Sequence, residues 1–419
     1  MDVRIIPNNL KGKITIPSSK SLAHRAIISA SLAEGESIIK NVYFSKDIMA
    51  TIEAVKKIGA KVELGDDFVK INGSYPKLTS HTINANESGS TLRFMIPIAM
   101  LTGEEITFKG ESNLINRPLD PYFKIFDEKN IRYKVKENYL PLTIYDKLIP
   151  GEFYLEGNIS SQFITGLLMA LPLLSSDSKI NITSTLESKG YIDLTIDVLK
   201  KFGITIINND YKEFIIKGNQ KYKPCNYVLE GDYSQAAFFL VADALGADIE
   251  VVGLDLFSKQ GDKKILDDLE DFGLKVEKNL DFIKVHGNPR GTKISFENTP
   301  DLAPALSTLA ALSAGTSEFV DAERLRIKES DRISSMREEL NKLGANVSET
   351  IDTMNFLGVN KLNGAILDSH NDHRIAMALA IASLKATGEI KIINASTVEK
   401  SYPNFWKDFE SLGGKLIYE

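Results

Sequence analysis

One pattern of apolar and polar positions recurs along the chain. A helix-like stretch ends, a Gly or Asn follows, and a short strand-like run comes next. The instances are Ile58-Gly59-Ala60-Lys61-Val62, Lys129-Asn130-Ile131-Arg132-Tyr133 and Phe202-Gly203-Ile204-Thr205-Ile206, then Phe272-Gly273-Leu274-Lys275-Val276, Leu343-Gly344-Ala345-Asn346-Val347 and Leu412-Gly413-Gly414-Lys415-Leu416. The markers Gly59, Asn130, Gly203, Gly273, Gly344 and Gly413 lie 69 to 73 residues apart, by subtraction of their numbers. Gly or Asn suits the left-handed cap that ends a helix. A second marker closes an earlier helix in each unit: Gly35, Gly103, Gly246, Gly315 and Gly388, with Asp177 in the third. Each unit therefore predicts strand, helix, strand, helix, strand, strand. In the first these fall near Lys13–Ile16, Leu22–Ala33, Ser37–Val42, Ile48–Ile58, Lys61–Leu64 and Phe68–Ile71.

The first helix of each unit is apolar almost all round, as in Phe163–Leu174 and Ala236–Leu245. Such helices are usually buried on every side, which predicts helices inside and sheets outside. A chain of 419 residues with 43% hydrophobic content suggests two domains of about 200 residues. Six units can close into two lobes of three. The net charge of -6 argues against nucleic acid as the main partner. The single cysteine, Cys225, sits in a turn-like linker and fits a reducing compartment. The longest apolar stretch, Phe163–Leu174, is too short to span a bilayer, and Met1–Lys13 lacks an apolar signal region. The expectation is a soluble, cytoplasmic protein.

Candidate chemistry gathers where the first helices begin. The six starts are Ser19-Lys20-Ser21, Glu87-Ser88-Gly89-Ser90-Thr91, Ser160-Ser161-Gln162, Asp232-Tyr233-Ser234-Gln235, Thr299-Pro300-Asp301 and Asn371-Asp372-His373-Arg374. Capping explains any one Ser, Asp or Asn. It does not explain Lys20, Arg25, Arg93 and Arg374 in first turns, where the helix dipole disfavours cations. Their repetition points to an anionic ligand. The second helices are expected to open at Asn116-Arg117-Pro118, at Arg326-Ile327-Lys328-Glu329-Ser330-Asp331-Arg332 and at Lys400-Ser401-Tyr402-Pro403. There Lys328 and Arg332 would share a helix face, with Glu329 beside it. Phosphate-loop, dinucleotide and nucleophile-elbow motifs are absent, and the five histidines show no metal-ligand spacing.

These segments resemble the 5-enolpyruvylshikimate-3-phosphate synthases along essentially the full chain. The resemblance is carried by Pro17-Ser18-Ser19-Lys20-Ser21 through Arg25, Ser88-Gly89-Ser90-Thr91-Leu92-Arg93, Asn116-Arg117-Pro118-Leu119 and Ser160-Ser161-Gln162-Phe163. It continues through Ser188-Lys189-Gly190-Tyr191-Ile192-Asp193, Glu230-Gly231-Asp232, Pro300-Asp301, Arg326 to Arg332, Asn371 to Met377 and Lys400-Ser401-Tyr402-Pro403. It implies an α/β fold, the two-lobed inside-out α/β barrel of enolpyruvyl transferases, with six βαβαββ units, three per lobe. Residues 1–19 and 232–419 would form one lobe and 20–231 the other, with the active site in the cleft.

The implied reaction moves the enolpyruvyl group of phosphoenolpyruvate to the 5-hydroxyl of shikimate 3-phosphate, through a tetrahedral intermediate. The resemblance assigns shikimate 3-phosphate to Lys20, Ser21, Arg25, Ser160, Ser161, Gln162, Ser188, Tyr191, Asp301 and Lys328. It assigns phosphoenolpyruvate to Lys20, Gly89, Arg117, Gln162, Arg332, Arg374 and Lys400. Asp301 matches the carboxylate facing the 5-hydroxyl and Glu329 the one near the enolpyruvyl methylene; the proton donor to C3 is left between Glu329 and Lys20. The expected partners are the two substrates alone, taken by a monomer without cofactor, metal, nucleic acid or membrane. The chain departs from the family at Ser18, Glu87 and Phe94, where Gly, Asn and Pro are frequent, and near Arg324. A related transferase acting on UDP-N-acetylglucosamine carries a reactive Cys in its second unit; the Leu114–Pro118 region here has none.

Overall fold

The computed structural model of the chain describes residues 1–136 and 138–419. The chain divides into two compact units, a terminal unit of Met1–Pro17 with Glu230–Glu419 and an inner unit of Ser18–Leu229. The divisions fall two residues before the expected ones. Ser18 Oγ accepts from Tyr43 N at 3.2 Å within the inner unit, and Ser19 caps that unit's first helix. Gly231 N bonds Gly253 O at 3.0 Å within the terminal unit.

The inner unit holds α1 (Lys20–Leu32), α2 (Lys46–Lys57), α3 (Gly89–Ala99), α4 (Asp120–Glu128), α5 (Ser161–Ala170) and α6 (Lys189–Lys201). The terminal unit holds α7 (Tyr233–Ala244), α8 (Ile265–Asp271), α9 (Ala303–Ala311), α10 (Arg332–Lys342), α11 (His373–Ala382) and α12 (Phe405–Ser411). Among the described residues each unit carries three four-stranded sheets. In one, Thr82–Asn84 runs parallel to Ile106–Lys109, which pairs antiparallel with Leu142–Ile144, and that strand pairs antiparallel with Tyr133–Val135. The spatial order is first, second, fourth, third strand of the repeat. Gly59, Gly203, Gly273, Gly344, Gly413 and Asn130 all have positive φ, as left-handed caps require. Gly388 does not.

Three sheets are assembled differently from the linear reading. Lys11–Thr15 does not begin the first repeat's sheet. It pairs in parallel with Asp248–Val252 of the terminal unit, because the chain leaves that unit only after this strand. Tyr227–Val228 takes its place beside Gly35–Lys40. The last repeat lacks a fourth strand of its own, and Val3–Ile6 supplies it between Ile390–Ile393 and Lys415–Tyr418.

The second helices also begin later than expected. Short 3-10 turns occupy Ser112–Asn116, Glu323–Ile327 and Ala395–Lys400. The helices α4, α10 and α12 follow after an intervening extended or irregular segment. Lys328 ends such a turn in extended backbone, and Asp331 caps α10 by accepting from Ser334 N at 3.1 Å. Lys328 and Arg332 therefore share no helix face. Pro118 and Pro403 stand in these junctions, where a missing N–H breaks no helical bond.

The first helices are the cores. In α1 every residue from Leu22 to Leu32 is buried, and α3, α5, α7, α9 and α11 are similar. Within the inner unit α3 packs on α5. Gly166 permits this approach, since a Cβ there would stand 2.5 Å from Arg93 O. Within the terminal unit α7, α9 and α11 pack on one another. A hydroxyl chain ties α1, α2 and α3: His24 Nδ1 to Thr51 Oγ1 and Thr51 Oγ1 to Thr91 Oγ1, both 2.6 Å, then Thr91 Oγ1 to Ser88 Oγ at 2.8 Å. Burial pushes the His24 imidazole down to about 3, so it is neutral. Among the described residues no helix is long and apolar enough to cross a membrane.

Phe94, where the family favours Pro, is buried against these groups. Its ring meets the His24 ring edge-on at 6.4 Å and lies 5.2 Å from the Arg25 guanidinium carbon. Truncation leaves a cavity and removes a cation–π contact, so Phe94→Ala is expected to cost about 3–5 kcal/mol. Urea denaturation would read it as a lowered midpoint; an unchanged midpoint would show that the ring is not part of the core.

Candidate active site

In the inner unit the expected residues fall into three local groups. The first surrounds the start of α1. Ser19 Oγ accepts from Leu22 N, and Lys20 follows it into the first turn. Lys20 Nζ lies 2.8 Å from Asp47 Oδ2 at the start of α2, with both side chains mostly buried. Arg25, one turn on, is 3% exposed. Its guanidinium donates to Ser21 O at 2.8 Å, Tyr191 O at 3.0 Å and Thr195 Oγ1 at 2.8 Å. Burial pushes its pKa down to about 10, which leaves it a cation at neutral pH. Ser188, left-handed at φ 57 and buried, heads α6 and accepts from Tyr191 N at 3.1 Å. Ser21, Arg25, Ser188 and Tyr191 are thus brought together.

The second group is the start of α3. Ser88 Oγ caps it through Thr91 N at 3.2 Å. The next residue, Gly89, has the Arg117 guanidinium directly over it: a Cβ at Gly89 would stand 2.7 Å from Arg117 Nη1. Any side chain there would require the guanidinium to shift. Glu87, the unusual carboxylate here, accepts from Ser112 Oγ at 2.6 Å.

The third group is the start of α5. Ser160 Oγ accepts from Gln162 N at 3.3 Å, and Gln162 bridges to α3, donating to Ser90 Oγ at 2.9 Å and accepting from Arg93 Nη1 at 2.7 Å. Arg93 also donates to Pro118 O at 2.9 Å and lies over the Phe163 ring. It orients Gln162 and the segment carrying Arg117.

The terminal unit concentrates charge more tightly. Arg332, at the first position of α10, is 1% exposed and donates to three carboxylates. Nε reaches Asp372 Oδ2, Nη1 reaches Asp301 Oδ1 and Nη2 reaches Glu329 Oε2, each at 2.8 Å. Arg374, at the second position of α11, donates through Nη2 to Asp301 Oδ2 at 3.0 Å and to Ser234 Oγ at 2.9 Å. Asp372 caps α11 through Arg374 N with one oxygen and serves Arg332 with the other. Lys400 is buried at the end of its 3-10 turn, which packs on α11. Asp301, Glu329, Arg332 and Arg374 therefore form one network.

The electrostatics follow. Burial alone would push the Asp301 carboxyl up, but Arg374, Arg332 and Lys328 hold it far below the usual carboxylate range. Arg332 is held above its usual value: burial disfavours its charge, but Asp372, Glu329 and Asp301 outweigh that. Lys328 is half-buried. Burial first, then Arg324 and Arg332, push it down to about 7, with Asp301 opposing.

Sequence reasoning assigned the counter-charge of the first-turn cations to a ligand alone. In the structure Asp47, Asp301, Glu329 and Asp372 already stand beside Lys20, Arg332 and Arg374. Asp47 and Asp372 escaped notice because both occupy ordinary helix-start positions, where an acid explains itself. Only Asp372 lies close in sequence to a misplaced cation, Arg374; Asp47 lies 27 residues from Lys20, so spacing carried no signal for that pair.

The chain matches the family model "EPSP synthase (3-phosphoshikimate 1-carboxyvinyltransferase)" over residues 5–409. It is 51% identical over 424 residues to a 3-phosphoshikimate 1-carboxyvinyltransferase of Clostridium novyi (strain NT), covering 99% of this chain and 98% of that one. A relative of the same name from Clostridioides difficile (strain 630) is 50% identical over 430 residues, covering 99% and 98%. The solved EPSP synthase of Acinetobacter baumannii superimposes with a TM-score of 0.81 at 25% identity, covering all of both chains. With the whole repeat architecture and both sets of polar helix starts accounted for, the chain belongs to the EPSP synthase family, the 3-phosphoshikimate 1-carboxyvinyltransferases.

Proposed function

We propose a division of labour among these residues in the family's reaction, with Asp301 as the base. The reaction is transfer of the enolpyruvyl group of phosphoenolpyruvate to shikimate 3-phosphate, in aromatic amino acid biosynthesis. In the inner unit, Ser21, Arg25, Ser160, Ser161, Ser188 and Tyr191 hold shikimate 3-phosphate. Lys20, Gly89, Arg117 and Gln162 hold phosphoenolpyruvate. In the terminal unit, Arg332, Arg374 and Lys400 complete the phosphoenolpyruvate set, and Asp301 and Lys328 meet the hydroxyls of the ring. The reading extends to a cytoplasmic monomer, supported by the single cysteine and by every proposed role falling on one chain.

The observation that carries the reading is Asp301 held between two guanidiniums at the starts of α10 and α11. In the proposed sequence, C3 of phosphoenolpyruvate gains a proton from Glu329 or Lys20, and C2 becomes electrophilic. The 5-hydroxyl oxygen bonds to C2 while Asp301 takes its proton, giving a tetrahedral ketal. The C–O bond to phosphate then breaks as C3 loses a proton, restoring the double bond. A base needs its carboxylate ionised, and Arg332 and Arg374 ensure that. They also weaken it. The carboxylate and phosphate of phosphoenolpyruvate would draw the same two cations, loosen their hold on Asp301 and raise its basicity as substrate arrives.

Asp301→Ala is expected to lower kcat by about 10²–10⁴-fold while the folded protein still binds shikimate 3-phosphate. Turnover close to the parent's would remove Asp301 from the chemistry. Gly89→Ala forces the Arg117 guanidinium aside and should raise the KM for phosphoenolpyruvate about tenfold, about 1.4 kcal/mol, leaving shikimate 3-phosphate affinity unchanged. An unaltered KM would place Arg117 elsewhere in the reaction. Lys328 loses its proton as pH rises through about 7, so shikimate 3-phosphate affinity should weaken between pH 6 and pH 8, by up to about tenfold per pH unit for one linked proton. Calorimetric titration across that range would test this. Lys328→Gln should flatten the profile, and a parent profile already flat would refute the role.

A further inference from the structure

Outside the groups above, one buried cluster reaches the site without any assigned role. Glu339, two turns into α10, has a fully buried side chain. Its Oε1 accepts from His370 Nε2 at 2.7 Å and from Lys342 Nζ at 2.9 Å; its Oε2 accepts from Asp368 N at 3.1 Å. His370 and Asn371 are consecutive left-handed residues, at φ 50 and 54, each bearing a side chain. Such backbone persists only where surrounding contacts determine it, and such sites cluster near function. Here those contacts are specific. His370 N donates to Asp368 Oδ1 at 2.7 Å, and Asp372 N donates to Ser369 O at 2.9 Å. Asn371 Oδ1 accepts from Asn394 Nδ2 at 3.1 Å, and Ser369 Oγ donates to Asn394 O at 3.1 Å.

The corner leads in two directions. The next residue is Asp372, which holds Arg332 and caps the helix of Arg374. Asn394 precedes the 3-10 turn that ends in Lys400. Arg332 and Arg374 are thus reached from this corner through Asp372, and the turn that ends in Lys400 starts beside Asn394. Glu338, Glu339 and His370 could also be read as metal ligands, since their donor atoms lie within 4.8 Å of one another. Lys342 argues otherwise, because its ammonium bridges Glu338 and Glu339 at 2.9 Å each.

We propose that Glu339 and His370 are positioning residues for phosphoenolpyruvate: their contact fixes the left-handed corner that aims Asp372 at Arg332 and seats the turn carrying Lys400. The inference rests on the reading of Arg332 given above. A structural cap would affect both substrates through stability, whereas a positioning device acts on the substrate that its cations hold.

The test uses the full chain, with the KM of each substrate measured at saturation of the other and thermal melting alongside. His370→Ala should raise the KM for phosphoenolpyruvate about tenfold or more, with the KM for shikimate 3-phosphate and the melting temperature unchanged. His370→Gln keeps an N–H within reach of Glu339 and should restore most of that loss. Arg332→Lys serves as the reference. If it raises the phosphoenolpyruvate KM and His370→Ala does not, this inference falls alone; if neither does, the reading of Arg332 falls first. An equal rise in both KM values with a lowered melting temperature, or no rescue by His370→Gln, would also overturn the proposal.

Discussion

Arg332 is a guanidinium with almost no solvent contact, and three carboxylates from three segments converge on it. A buried cation without partners is prohibitive, and removing one partner of a buried pair typically costs about 3–5 kcal/mol. The terminal unit is organised by that constraint. Asp301 must arrive just ahead of α9, Glu329 from the junction before α10, and Asp372 from the cap of α11. Asp372 is itself the cap of α11, and Asp301 and Glu329 lie two and three residues ahead of α9 and α10, so satisfying Arg332 also constrains where three helices begin. The site's geometry and the unit's fold are one requirement.

The repeat makes this requirement attainable. Each first helix is apolar on every face, so it can only be buried, and its polar atoms can surface only at its ends. Left-handed Gly103 and Gly246 close the C-terminal ends of two of them. The N-terminal ends are therefore where side chains such as Ser19, Ser88, Ser160, Asp232 and Asp372 cap and where charged neighbours gather. Close approach between the helices needs small residues at the crossings, as Gly166 shows against Arg93 O.

The period of about 70 residues was legible because Gly59, Gly203 and their counterparts answer a local backbone need, and local needs are written locally. The placement of Lys11–Thr15, Val3–Ile6 and Tyr227–Val228 was not, because strand partnership is a non-local choice that no spacing encodes. The polar helix starts were legible for the same local reason as the glycines. The junctions before α4, α10 and α12 misled: Pro118 and the charged run at Arg326–Arg332 read as helix openings, but 3-10 turns precede them. Those turns lift Arg117, Lys328 and Lys400 off regular helices. Asp47 and Asp372, which complete the balance of charge, were hidden by their own plausibility at helix starts.

That balance changes what the cations can do. Bare guanidiniums at Arg332 and Arg374 would attract any phosphate. With Asp301, Glu329 and Asp372 already seated, an incoming anion must displace or share existing partners. A single weak anion gains little from that exchange. A ligand bearing both a carboxylate and a phosphate can offer each guanidinium a replacement at once, so discrimination favours such ligands. Under the proposed roles the displaced groups are not idle. Asp301 and Glu329, released in part from Arg332, become the carboxylates free to move protons. Substrate selection and activation of the base would then be the same exchange of partners, enforced by the cost of leaving a buried guanidinium unpaired.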